Sequence, residues 1–254
     1  MTQDNAQSIL AFLRVISGQE MENCGSPLEG IARSIINGRG DIEAGDMSIS
    51  AFNVQLSQSH GTGSIPTISF PASTERTDAR NAITSAIEDF LVQETGLSHN
   101  VASAFRYVTD EIIDNITEHA DTPTGYLSAF WDEESVSMCI ADGGKTIYGS
   151  YLDRQFEGIG NDQSALHAAA SGVSTKNRLG AENRGFGIST SSDMVTRGLD
   201  STMIILSGRG LLIRTKERND FTELPEPIYM PGTLVCFSMH VRKDGFTIYD
   251  YIGG

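Results

Sequence analysis

Apolar residues recur at helical spacing twice before residue 40. Ile9, Leu10, Leu13 and Ile16 form one stripe; Leu28, Ile31, Ala32, Ile35 and Ile36 form another, so the pattern predicts two short helices. The glycines of NGRGDIEAGD interrupt the pattern, residues 48–55 read as a strand, and SQSHGTGSIP reads as a linker. These breaks place a domain boundary near residue 65. Residues 1–65 would be a helical arm, serving core packing, docking or oligomerisation, and residues 66–254 the main domain.

Beyond the boundary the pattern is tighter. TISFPAS reads as a short strand stopped at Pro71. Ile83, Ile87 and Leu91 share one face of a helix predicted over 77–95, with Gly96 as its stop. A second helix is predicted from about Ser98 to Ala120. Strands are expected at 125–131, 135–141, 202–207, 210–215 and 233–241. Val136, Met138 and Ile140 alternate in one of them; Val235, Phe237, Met239 and Val241 alternate in the last. Helices segregated from a run of strands predict an α+β fold, a two-layer sandwich with helices on one face of a mixed, mostly antiparallel sheet. The stretch 143–185 is rich in Gly, Ser, Ala and Asn and weakly periodic, which suits a lid.

The second helix carries a polar line. Phe105, Val108, Ile112 and Ile116 share one face, while Glu111, Asn115 and His119 are spaced by four and stack along its border. Such a line is either a solvated helix edge or a set of functional groups. In the second case Glu111 is a carboxylate base, Asn115 a neutral oxygen ligand for Mg²⁺, and His119 a supporting imidazole. The strand SVSMCIA ends at Asp142-Gly143-Gly144, which is a plain turn or a carboxylate placed to accept from an amino group such as adenine N6. Thr175 and Lys176, then Arg184-Gly185-Phe186-Gly187, form a glycine-rich and locally basic patch before a segment with helical potential. That suits either a hinged surface loop or a phosphate site. Gly232-Thr233 opens the last strand.

Composition narrows the partners. The 254 residues carry 18 Lys plus Arg against 33 Asp plus Glu, a net charge of −15, which opposes nucleic acid and anionic lipid. The locally positive patch stands out against that background. Cys24, Cys139 and Cys236 are odd in number and far apart, with no disulfide framework, and they fit a reduced cytoplasmic compartment. The start lacks a signal peptide, and no apolar run is long enough to span a bilayer. Trp131 and Cys139 read as core, and His60 and His99 as surface.

In order, these pieces resemble the ATP-binding motifs of the Bergerat-fold (GHKL) superfamily over about residues 67–241. Glu111-Ile-Ile-Asp-Asn115 is similar to the N box, and Asp142-Gly-Gly144 to the first glycine box. Arg184-Gly-Phe-Gly187 is similar to the second, and Gly232-Thr233 to the late Gly-Thr element. The E-x-x-x-N-x-x-x-H-A pattern of Glu111, Asn115, His119 and Ala120 is closest to the anti-sigma-factor serine kinases. The resemblance implies ATP and Mg²⁺ as ligands and Glu111 as general base. It implies Asn115 on Mg²⁺, Asp142 on the adenine amine, and Gly144 at a close ligand approach or lid hinge. Arg184, Gly185 and Gly187 would face the phosphates, and Thr233 would hold Asp142 or a water. It implies a protein kinase or partner switch with a protein partner and a possible homodimer; the alternatives are a dimerising ATPase of gyrase or chaperone type and an idle nucleotide-binding module. One departure stands out. The family's D-x-G-x-G is here Asp142-Gly-Gly144-Lys-Thr146, and Gly149 is a shifted candidate for the second glycine.

Overall fold

A computed structural model describes residues 11–13, 30–31, 48–72, 77–173 and 187–252. The chain first forms α1 (Ile49–Ser57), β1 (Ser64–Pro71), α2 (Thr77–Thr95) and α3 (His99–His119). A hairpin of β2 (Thr124–Trp131) and β3 (Ser135–Asp142) comes next, then α4 (Ile147–Asp153), α5 (Asp162–Ala170) and α6 (Gly187–Asp193). A π-helical turn at Met194–Gly198 leads into β4 (Met203–Gly208), β5 (Gly210–Arg214), β6 (Asn219–Glu223), β7 (Met230–His240) and a last turn of helix, α7 (Tyr249–Ile252).

The seven strands make one sheet in the order β1-β2-β3-β7-β4-β5-β6. Every neighbouring pair is antiparallel, so the mixed sheet expected from the sequence is corrected to a uniform one. The main core lies between this sheet and the helices. Ile83, Ile87, Phe105, Val108 and Ile112 from α2 and α3 meet Val136, Met138 and Ile140 of β3 and Val235, Phe237 and Met239 of β7. These strand residues alternate with Cys139, Ala141, Leu234 and Cys236, which face the other side. There Phe12, Leu13 and Ile31 cover the sheet, Leu13 and Ile31 fully buried. The central strands are thus buried on both faces.

Residues 48–55 form helix α1, not the expected strand. Ser48 caps it by accepting from the Ala51 N–H, and Phe52 and Leu56, one turn apart, enter the main core. The stretch 143–173 is ordered as α4 and α5 and is not a structureless loop. Thr146 caps α4 through the Gly149 N–H, and Asn161 with Ser164 makes a reciprocal cap for α5. Gln163 also donates from its backbone N–H to Glu223 and from its side chain to the Phe221 carbonyl, fastening α5 to the β5–β6 hairpin.

Cys139 and Cys236, 97 residues apart, stand directly opposite on β3 and β7 and are joined as a disulfide. The expectation of unpaired thiols is therefore corrected. Strand pairing, which sequence spacing does not reveal, brings the two together. Among the described residues no helix is long and apolar enough to cross a membrane.

Candidate nucleotide-binding cleft

The alternation that builds the core also aims the site. On β3, Asp142 follows Met138 and Ile140 at period two and so turns toward the helices. On β7, Thr233 follows the parity of Val235, and on β4, Ser207 that of Met203 and Ile205. α3 crosses above β3 and β7, presenting Glu111, Asn115 and His119 from one side. α6 packs beside it with Gly187 at its start. Between them lies a cleft enclosing about 1050 Å³ of open space, solvent included. Its floor and walls are largely aliphatic: Ile116, Ile140, Ile147, Met203, Ile205 and Val235.

Six of the residues singled out in the sequence line this cleft together: Glu111, Asn115, His119, Asp142, Gly187 and Thr233. A Cβ at Gly187 would stand 3.2 Å from Glu111 Oε2 and 3.7 Å from Asn115 Nδ2, so bare backbone faces the polar line of α3. Thr175, Lys176, Arg184, Gly185 and Phe186 lie outside the described residues. Gly144 is described, but it does not line the cleft. A Cβ there would collide with the Ala120 carbonyl, so its bareness serves the packing of the β3 end against the end of α3. The next residue, Lys145, donates its backbone N–H to that carbonyl at 2.6 Å. Gly149 sits in the first turn of α4, inside the cap made by Thr146. Thr146, which stands where a D-x-G-x-G motif would have its second glycine, is thus the cap that starts α4.

Asp142 is 1% exposed. Its Oδ1 accepts the Gly144 N–H at 2.8 Å, and the Thr233 backbone N–H also bonds the carboxyl. Burial outweighs both bonds and pushes its pKa up to about 7. Gly232, at φ +70, lies so close that a Cβ would strike the Asp142 backbone carbonyl. Beneath, Ser207 Oγ donates to the Gly232 carbonyl at 3.0 Å, accepts the Ile147 N–H at 2.9 Å and shares a bond of 3.0 Å with Thr233 Oγ1. Thr233 therefore holds Asp142 by its backbone, and its hydroxyl is anchored to Ser207.

Several cleft residues escape the sequence pattern. Lys145 alone carries a fixed positive charge among the described lining residues. Its ammonium reaches Asp153 at 2.7 Å and Asp121 at 3.2 Å, and the hydrogen bonds to both raise its pKa. Tyr151 bonds the Val173 carbonyl, and burial pushes its pKa up to about 12. Ser191 lines the cleft from α6 with its hydroxyl buried. Alternation in β4 could have flagged Ser207, two residues past Ile205. Nothing in the spacing points to Lys145 or Tyr151, which enter from the turn after β3 and from α4. No protein-family model, curated protein or solved structure matches this chain.

Proposed function

We propose that this cleft binds Mg·ATP and that the protein is a Bergerat-type kinase or partner switch of the anti-sigma-kinase kind. The observation that carries the reading is the meeting of Asp142 with Asn115 and Glu111 in one cavity. The two groups come from a strand end and a helix that are separate in sequence. An apolar slot ending in a buried hydrogen-bond acceptor suits a flat base with an exocyclic amine. The amide oxygen of Asn115 and the bare backbone at Gly187 suit a hydrated divalent cation and phosphate oxygens at the other end.

Mg²⁺, when bound, would neutralise charge on the phosphates. The chain's own residues do the rest. Asp142 orients the base, the aliphatic walls exclude water from it, and Asn115 offers oxygen to the cation. Glu111, beside Asn115, accepts the proton of a partner's serine or threonine hydroxyl as that oxygen bonds the γ-phosphorus, the bond to the bridging oxygen breaks and ADP leaves. The excess of negative charge favours a protein partner with a basic face over nucleic acid.

Calorimetric titration with ATP and Mg²⁺ tests this on the wild type and Asp142→Ala. The wild type should bind with micromolar affinity, and the variant should lose tenfold or more, the cost of a charge-assisted hydrogen bond in a buried site. Equal heats for the two proteins would refute the site.

A further inference from the structure

Three polar side chains stand side by side across the sheet at the Asp142 end of the cleft. Ala141 on β3 pairs with Leu234 on β7, and the next position of that register sets Asp142 opposite Thr233. Thr233 in turn pairs with Ser207 on β4. Asp142 and Thr233 both line the cleft, and Ser207 is buried beside them. Directly opposite side chains on neighbouring strands have Cβ atoms about 5 Å apart.

Counting places the protons of this group. The Ser207 hydroxyl has one proton to give and two lone pairs. It bonds the Gly232 carbonyl at 3.0 Å, the Ile147 N–H at 2.9 Å and Thr233 Oγ1 at 3.0 Å. A carbonyl can only accept and an amide N–H can only donate, so a single assignment makes all three bonds at once. Ser207 gives its proton to Gly232, and Thr233 gives its own to Ser207. The Thr233 hydroxyl then has no proton left for the cleft and faces it with lone pairs. Opposite it, the ionised Asp142 carboxylate spends two of its four lone-pair sites on the Gly144 and Thr233 N–H groups. The two cleft-lining side chains thus present acceptors and no donor.

We infer that Ser207 is a positioning residue that fixes the Thr233 hydroxyl as an acceptor, so that Asp142 and Thr233 together take both protons of one NH2 group on the base. This rests on the nucleotide reading above and adds the element that tells an amino from an oxo purine. Two acceptors on one amine, each about 2.9 Å from its nitrogen, lie about 5 Å apart, which is the spacing that paired strands provide. An oxo purine such as hypoxanthine brings an oxygen to the same place and meets lone pairs there, the kind of mismatch that a polar site rejects.

The test is calorimetric titration of the full chain with ATP, ITP and 1-deaza-ATP at about pH 8, where the Asp142 carboxylate is ionised. Wild type should prefer ATP to ITP by about tenfold or more. Thr233→Val keeps the backbone N–H and should bind ATP about three to ten times more weakly, and Thr233→Ser should restore wild-type affinity. Ser207→Ala frees the Thr233 hydroxyl to turn and donate, so ITP should bind about three to ten times more tightly and the preference should narrow. A structural role alone would lower the melting temperature and leave the ATP-to-ITP ratio as it is, so an unchanged ratio in either folded variant overturns the inference. Where Ser207→Ala does not fold, Thr233→Val and Thr233→Ser decide. The loss in Thr233→Val should persist with 1-deaza-ATP, which keeps the amine and lacks the N1 nitrogen; a loss that vanishes there puts the hydroxyl on a water at that nitrogen and overturns the two-proton contact. A wild type that binds neither ATP nor ITP ends the nucleotide reading as well, whereas one that binds both equally ends only this inference.

Discussion

Asp142 concentrates the energetics of the cleft in one carboxyl. Its two backbone bonds favour the ionised form, yet desolvation wins and raises the pKa from 3.8 to about 7. The consequence for stability runs opposite to that of a salt-bridged aspartate. Between those values the folded state holds a proton that the unfolded state has released, so stability falls as pH rises. The contribution is fully present below pH 4, is lost progressively toward pH 7 and is flat above. It amounts to a few kcal/mol, at about 1.4 kcal/mol per tenfold change in proton affinity. The melting temperature of wild type relative to Asp142→Asn should therefore drop from pH 5 to pH 7.5; a constant difference would show that the carboxyl titrates normally. ATP affinity should move the other way. The ionised carboxylate accepts from an amine more strongly than the neutral acid does, so binding should tighten through pH 7 in wild type and stay level in Asp142→Asn.

At the scale of elements, helices α2 and α3 are legible because their apolar residues keep a 3.6-residue period over five turns each. The central strands are legible through alternation. β6 is not, since Asn219–Glu223 is a polar, largely exposed edge strand with no buried face to impose a pattern. α1 reads as a strand because Phe52, Val54 and Leu56 alternate with Asn53 and Gln55, and the deciding signals are the Ser48 cap and the Phe52–Leu56 pair, which alone is buried. The polar line on α3 and the strand end at Asp142 are readable as candidates. Their meeting in one cavity, and the aliphatic floor from three strands, depend on pairing that no local pattern encodes. Gly144 shows the limit. It looks like a ligand-facing glycine, whereas its constraint is the backbone of Ala120. Gly144→Ala should accordingly lower the melting temperature of the ligand-free protein, by an amount typical of a backbone clash of about 2 kcal/mol or more. A variant that melts normally and loses only ATP affinity would return the glycine to the ligand.

For the molecule as a whole, the distinguishing question is what Glu111 acts upon. Glu111→Gln keeps size and hydrogen-bonding capacity but removes the carboxylate proposed as base. ATP affinity should change less than about threefold, while transfer of radiolabel from ATP to a partner protein should fall at least about a hundredfold, the usual yield of general-base catalysis. Loss of binding together with turnover would make Glu111 a ligand-holding group instead. A variant that keeps full phosphotransfer would remove it from the chemistry.

The cystine between β3 and β7 adds a covalent condition to the site. It encloses α4 to α6 and β4 to β6 in one ring and leaves α1 to α3 outside. The two strands it joins are those that end at Asp142 and begin near Thr233. A slip of one residue between them would turn every inward side chain outward. The cross-link forbids that slip, so helices can shift above the sheet while the acid and the amide that grips it keep their places.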